Sequence, residues 1–220
     1  MNDFIITATN SNCGKTTFTM GLLRALHERK LSVQPFKCGP DYIDTMFHHL
    51  AAKRESVNLD SFMSSEEHLK KLFCKYGSDA DMRIVEGVMG MYDGFDSWHG
   101  SSADIARILN IPAILVVNAK STAYSVAPLI YGFKNFNKSV NIAGVVFNMV
   151  ASDNHFAFLK QACHDAGVEC LGYMKKNTAL NIPGRHLGLT ISEKQNMESL
   201  IRLAAEEVER HVDIDKILAI

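Results

Sequence analysis

Phe4-Ile5-Ile6-Thr7-Ala8-Thr9-Asn10-Ser11-Asn12-Cys13-Gly14-Lys15-Thr16-Thr17 decides the fold of this chain. A short apolar run is followed by a tight polar loop, then Gly-Lys-Thr, then an amphipathic stretch from Thr16 to Glu28. Strand, loop and helix in that order form a phosphate cradle. A nest of backbone N–H groups and the helix N-terminus both point at phosphate oxygens. In such a loop Lys15 would reach the β/γ-phosphates and the Thr16 hydroxyl would hold Mg2+. Asn12, Cys13, Gly14, Lys15, Thr16 and Thr17 form the expected nucleotide-binding set. Gly14 is the only glycine of the loop, but Asn10 and Asn12 are of the non-glycine type that best tolerates positive φ.

Outward from this loop, short Val- and Ile-rich runs alternate with amphipathic stretches. The pattern predicts strands over 4–8, 33–37, 83–86, 113–117, 142–147 and 169–173. Helices are predicted over 16–28, 46–53, 65–77, 102–109, 122–134, 154–166 and 193–211. Apolar strands with little alternation, separated by helices, imply an α/β fold: three layers, with a mostly parallel sheet covered by helices on both faces. Ligands then sit beyond the carboxyl ends of the strands. No linker divides the chain, so it reads as one domain over 1–220.

Two further strand ends carry chemistry. Met82-Arg83-Ile84-Val85-Glu86-Gly87 ends an apolar run in an acid, placed to complete a Mg2+ shell beside the phosphate loop. The glycine-rich tail Gly87 to Gly94 suits a loop passing close to a ligand. The second strand runs into Lys37-Cys38-Gly39-Pro40-Asp41-Tyr42-Ile43-Asp44. Lys37 could bind a substrate carboxylate or the transferred phosphoryl group, and Asp41 and Asp44 could hold Mg2+ or position a nucleophile; alone, the segment is an ordinary charged turn. His48 and His49 would point about 100° apart on a helix and cannot grip one metal together. Cys13 sits at a helix N-terminus without an identifiable base partner and reads as a small loop residue.

Composition narrows the classes. The 220 residues are 47% hydrophobic and 21% charged, which is the balance of a globular chain. Lys plus Arg (23) nearly cancel Asp plus Glu (24), which argues against bulk nucleic-acid or anionic-membrane binding. Five cysteines without a CxxC motif argue against a disulfide framework or cysteine zinc site and fit a reducing cytoplasm. The apolar runs fall far short of the ~20 residues that span a bilayer.

Together the motifs resemble the amidoligase domain of the cobyrinic acid a,c-diamide synthase family, in the dethiobiotin-synthetase-like branch of P-loop proteins. The resemblance rests on Thr9–Thr17, Pro35–Asp44, Asn58–Met63, Glu86–Gly94, Ser102–Ala106, Gly144–Asn148 and Pro183–Leu189. It implies ATP-dependent amidation of the a and c carboxylates of a corrin. ATP phosphorylates the acid and ammonia attacks the acyl phosphate, in the synthesis of cobalamin. By resemblance, Lys15, Lys37, Asp41, Asp44 and Asp93 serve catalysis, and Asn148 would hydrogen-bond adenine. Lys37, Asp41, Tyr42 and Ile43 would meet substrate; Thr16, Asp44 and Glu86 would serve Mg2+. The partners implied are a tetrapyrrole acid and ammonia or a glutaminase domain or subunit, with a homodimer left open.

Ala8, Asn10 and Asn12 stand where relatives usually carry glycine, and Asn118 where they often carry Asp. No cysteine lies in a nucleophile elbow, so the chain is expected to lack the glutaminase half and not to hydrolyse glutamine. Two alternatives stay open: amidation of another tetrapyrrole acid such as a metallated sirohydrochlorin, and a partitioning-type nucleotide-switch ATPase. Against the latter, Asn10 occupies the place where switch ATPases typically put a second lysine.

Overall fold

A computed structural model describes residues 2–180 and 191–220. Seven strands form one parallel sheet: β1 (Asn2–Ala8), β2 (Val33–Cys38), β3 (Val57–Leu59), β4 (Met82–Glu86), β5 (Ala113–Asn118), β6 (Ile142–Val150) and β7 (Glu169–Lys175). Their spatial order is β3-β2-β4-β1-β5-β6-β7, with every pairing parallel. The expected three-layer α/β architecture is therefore the one observed. One face carries α1 (Lys15–Glu28), α2 (Ile43–Ala52), α7 (Ile191–His211) and α8 (Ile214–Leu218). The other carries α3 (Glu66–Gly77), α4 (Ser102–Leu109), α5 (Val126–Phe136) and α6 (Asp153–Asp165).

Burial on both faces explains the continuous apolar strands. Every residue of β2 is buried, including Lys37. Alternation then decides which helices each side chain meets. Met82 and Ile84 of β4 belong to the core under α1 and α2, while Val85 belongs to the opposite core. Glu86 continues the Met82–Ile84 series and so faces α1 and α2. Register places Glu86 beside Lys37 of β2 and beside Ile6 of β1. Gly21 lets α1 approach α7 closely: a Cβ there would lie 2.7 Å from the Ala204 carbonyl oxygen.

Three differences from the sequence expectation have local causes. Helix α2 starts at Ile43 rather than 46, because Asp41 Oδ1 accepts from the N–H groups of Ile43 (2.8 Å) and Asp44 (2.9 Å). Helix α5 starts at Val126 rather than 122. Asn118 Oδ1 accepts from Lys120 N and Ser121 takes φ 60°, so residues 119–125 turn before the helix begins. The short edge strand β3 and the helix α8 escape periodicity altogether; α8 is started by Asp213, whose Oδ1 accepts from Lys216 N at 3.0 Å. The Pro183–Leu189 segment lies outside the described residues. All five cysteines are unbridged thiols. Among the described residues no helix is long and apolar enough to cross a membrane.

Candidate functional site

The loop after β1 is built on two left-handed residues, Asn12 (φ 62°) and Gly14 (φ 95°). Asn10, read as equally tolerant, is not among the positive-φ residues; its side chain instead accepts from the buried Cys13 thiol at 3.2 Å. Gly14 is the N-cap of α1 and makes no side-chain cap bond, and the first turn holds no acid. The first-turn N–H groups therefore face the loop without an anionic side chain of their own. Asn148 Nδ2 donates to Cys13 O at 2.9 Å and ties the loop to β6. A Cβ on Gly14 would lie 2.0 Å from that same nitrogen. Gly14→Ala is accordingly expected to destabilise the protein by about 1–3 kcal/mol and to weaken binding of a fluorescent ATP analogue. Unchanged binding and an unchanged denaturation midpoint would contradict this account of the loop.

Lys15 is buried and donates to the carbonyl of Met89, a residue with φ 44° in the Gly87–Gly94 loop. Burial lowers the Lys15 pKa below the usual lysine range, against the opposing pull of Glu86 and with help from Lys37. Asp93 Oδ2 accepts from Gly90 N at 2.8 Å, so Asp93 shapes this loop from within.

Beside the loop lies a cluster of buried charges. Thr16 Oγ1 donates to Glu86 Oε1 at 2.6 Å. Glu86 Oε2 lies 2.7 Å from His48 Nε2, and His48 Nδ1 lies 3.0 Å from Ser56 Oγ. Lys37 Nζ donates to Gly87 O (3.0 Å) and Cys38 O (3.2 Å) and stands 3.7 Å from Asp44 Oδ2. Burial pushes the Glu86 carboxyl upward. The hydrogen bond and charge of His48, the charge of Lys37 and the Thr16 hydroxyl outweigh it and hold the group at about 2. Glu86 is thus an anion at neutral pH although it is enclosed.

These groups share one cavity of about 570 Å³ at the carboxyl ends of the strands. Asn12, Gly14, Lys15, Thr16, Thr17, Lys37, Asp41, Asp44, Glu86 and Asn148 line it. Cys13, Tyr42, Ile43 and Asp93 do not. Cys13 is buried behind the loop, Tyr42 is exposed beside the cavity, and Ile43 packs at the start of α2 against the core. Sequence reasoning missed His48 beside Glu86 and the lining residues Lys175 and Asn177, whereas Met89 falls in the Gly87–Gly94 loop expected to pass close to a ligand. A signal for His48 existed: it stands four residues after Asp44 on α2, hence on the same helix face. His49, as expected, diverges from it and lies 3.1 Å from Glu55.

Among the described residues, no three His, Cys, Asp or Glu side chains gather closely enough to hold a metal by themselves. The donors near the phosphate loop are the Thr16 hydroxyl and the Glu86 and Asp44 carboxylates. A small set of hard oxygens fits Mg2+, which prefers one or two carboxylates plus substrate phosphates and keeps several waters.

The chain is similar to known proteins along its length. A family model described as CobQ/CobB/MinD/ParA nucleotide binding domain matches residues 4–189. The cobyrinate a,c-diamide synthase of Caldanaerobacter subterraneus subsp. tengcongensis is 44% identical over 98% of this chain and 48% of the relative. That of Listeria innocua is 44% identical over 100% of this chain and 50% of the relative. The hydrogenobyrinate a,c-diamide synthase of Brucella anthropi is 41% identical over 100% and 51% respectively. The chain thus spans about half the length of the curated relatives it matches. Among solved structures, the MinD cell division protein of Aquifex aeolicus superposes with TM-score 0.63 at 15% identity, covering 100% of this chain and 96% of that one. Chloroplast FtsY of Physcomitrella patens gives TM-score 0.53 at 11% identity over 91% and 65%. At such identities these two speak for the fold alone.

Proposed function

Since this chain belongs to the CobQ/CobB/MinD/ParA nucleotide-binding domain family, we propose that its strand-end cavity binds ATP and activates a carboxylate of a corrin acid for amide formation. The observation that carries this reading is the meeting of Lys15, Lys37, Thr16 and Glu86 around one cavity. A carboxylate is a poor acyl donor because oxide would have to leave. Transfer of the γ-phosphoryl group to a carboxylate oxygen releases ADP. Ammonia then forms the C–N bond as the acyl C–O bond breaks, and phosphate departs.

Positioning and charge neutralisation are what a protein supplies to such a transfer. Lys15 and the first turn of α1 hold the β/γ-phosphates. Thr16 and Glu86, with Asp44, would hold Mg2+, which would supply charge neutralisation at the phosphates. Lys37 neutralises the acid as its oxygen approaches phosphorus. Asp41 lines the cavity and starts α2, its Oδ1 accepting from Ile43 N and Asp44 N; it shapes the wall that the acid meets, with Tyr42 exposed beside it. Asp93 acts through the Gly87–Gly94 loop. Asn148, with its amide donating to Cys13 O, supports the nucleotide through the loop it braces.

The corrin acid as substrate rests on the likeness to cobyrinate a,c-diamide synthases about twice as long as this chain. The nitrogen source is either ammonia or a glutaminase domain or partner. Release of ADP with ammonium, measured with and without cobyrinic acid, tests the proposal. The expected result is acceleration only with the corrin acid, together with mass spectra showing carboxyl groups converted to amides. Acceleration by a protein or DNA partner, and none by any tetrapyrrole acid, would replace the ligase reading with a switch ATPase.

A further inference from the structure

Three neighbouring strands, β3, β2 and β4, each run at the carboxyl end into a loop that exposes large apolar side chains. The loop after β2 exposes Tyr42 (73% accessible), and the loop after β3 exposes Phe62 (75%) and Met63 (77%). The loop after β4 exposes Phe95 (61%) and Met89 (47%). Water-facing aromatic and methionine side chains on three adjacent loops mark a binding surface, whereas single exposed apolar residues do not. The Phe62 and Phe95 rings meet edge to face with centroids 5.3 Å apart, joining the β3 and β4 loops.

This rim is held in place before anything binds. Asp60 Oδ1 accepts from Phe62 N at 2.9 Å. Asn58 Nδ2 donates to Asp41 O at 3.1 Å and ties the β3 end to the β2 loop. Phe95 N donates to His99 O at 3.0 Å. Two of the three loops also reach the cavity, since Asp41 of the β2 loop and Met89 of the β4 loop line it. Carboxylates flank the rim (Asp60 and Asp96), and the cations that can meet acid arms, Lys15, Lys37 and Lys175, line the adjoining cavity. What the rim offers is apolar contact.

From this placement we infer that the Phe62–Phe95 rim seats the macrocycle of the tetrapyrrole acid by apolar contact while one carboxylate arm enters the cavity beside Lys37. The inference rests on the function proposed above and adds the surface that selects the substrate. A ligand with a broad apolar face and several acid arms matches both features. The ring lies on aromatic side chains, and a single arm reaches the buried lysine. Binding energy gathered at the ring then positions an acid group that has few contacts of its own.

The chain's only tryptophan, Trp98, lies on the β4 loop three residues after Phe95 and reports on the rim. The test is quenching of Trp98 fluorescence by cobyrinic acid, with a fluorescent ATP analogue measured in parallel. Phe62→Ala/Phe95→Ala is expected to weaken cobyrinic acid binding about tenfold or more, with ATP-analogue affinity and unfolding midpoint unchanged. Met63→Ala, at an exposed position, is expected to weaken it in the same direction. Parental affinity for cobyrinic acid in both variants would overturn the rim and leave the proposed function standing. No cobyrinic acid binding by the parent protein would instead remove the proposed substrate, and the rim's occupant with it.

Discussion

Lys37→Ala is expected to cut ammonia-dependent amide formation about 10²–10³-fold, the usual cost of removing one preorganised charge-stabilising group. ATP affinity should change little. The reason lies in where Lys37 stands. It is fully enclosed on β2, and its Nζ donates to the carbonyls of Cys38 and Gly87. In the proposed function the triphosphate is held instead by Lys15 and the start of α1, a different element lining the same cavity. On that proposal, loss of Lys37 would remove positive charge where the acid and the migrating phosphoryl group meet, and would leave Lys15 and the loop in place. Lys37→Met, which keeps most of the buried volume, separates this effect from a packing defect and should be equally inactive. Lys37→Arg should not restore turnover, because a planar guanidinium neither fits the enclosed site nor reproduces a compact ammonium. Near-normal turnover of either neutral variant with ammonia would remove Lys37 from the mechanism.

The second large effect concerns stability. His48→Ala deprives a fully buried carboxylate of its imidazole partner, and breaking such a pair costs about 3–5 kcal/mol. For a domain of this size that lowers the unfolding midpoint by about 6–20 °C. His48→Gln should recover part of the loss, since its amide N–H can reach toward Glu86 Oε2. An unchanged midpoint in His48→Ala would show that the His48–Glu86 contact contributes nothing.

The same pair has a pH signature. Glu86 is held at about 2, below its ordinary 4.5, by His48, Lys37 and Thr16 acting against burial. A depressed carboxyl contributes stability that is fully present above the unfolded pKa and is lost as pH falls through the folded value. The stability advantage of the parent protein over Glu86→Gln should therefore hold above pH 4.5 and shrink toward pH 2 in denaturant titrations. An advantage that grew on acidification would contradict this assignment.

Much of the candidate cleft was legible in one dimension because its parts are local. The phosphate loop is a contiguous motif, so its strand, turn and helix follow from neighbouring residues. Lys37, Asp44 and Glu86 stand at or just beyond the ends of apolar runs, and parallel sheets gather such ends on one edge. Tyr42, Ile43 and Asp93 came with the resemblance, and none of them lines the cavity. Periodicity also found the principal helices and strands, since each is long enough to show its repeat. It missed β3, which has three residues, and misplaced the start of α5, where the Asn118 side chain and a left-handed Ser121 override helical propensity.

The sequence by itself determined the α/β class, the phosphate cradle and the residues that carry charge into the cleft. Only the tertiary structure decided that His48 faces Glu86 across 38 positions, that Thr16 reaches it across 70, and that Asn148 braces Cys13 across 135. It alone paired Phe62 with Phe95. The physical reason is that a repeat in sequence records which face of its own element a side chain occupies. Strand order and helix packing choose which distant element that face will meet.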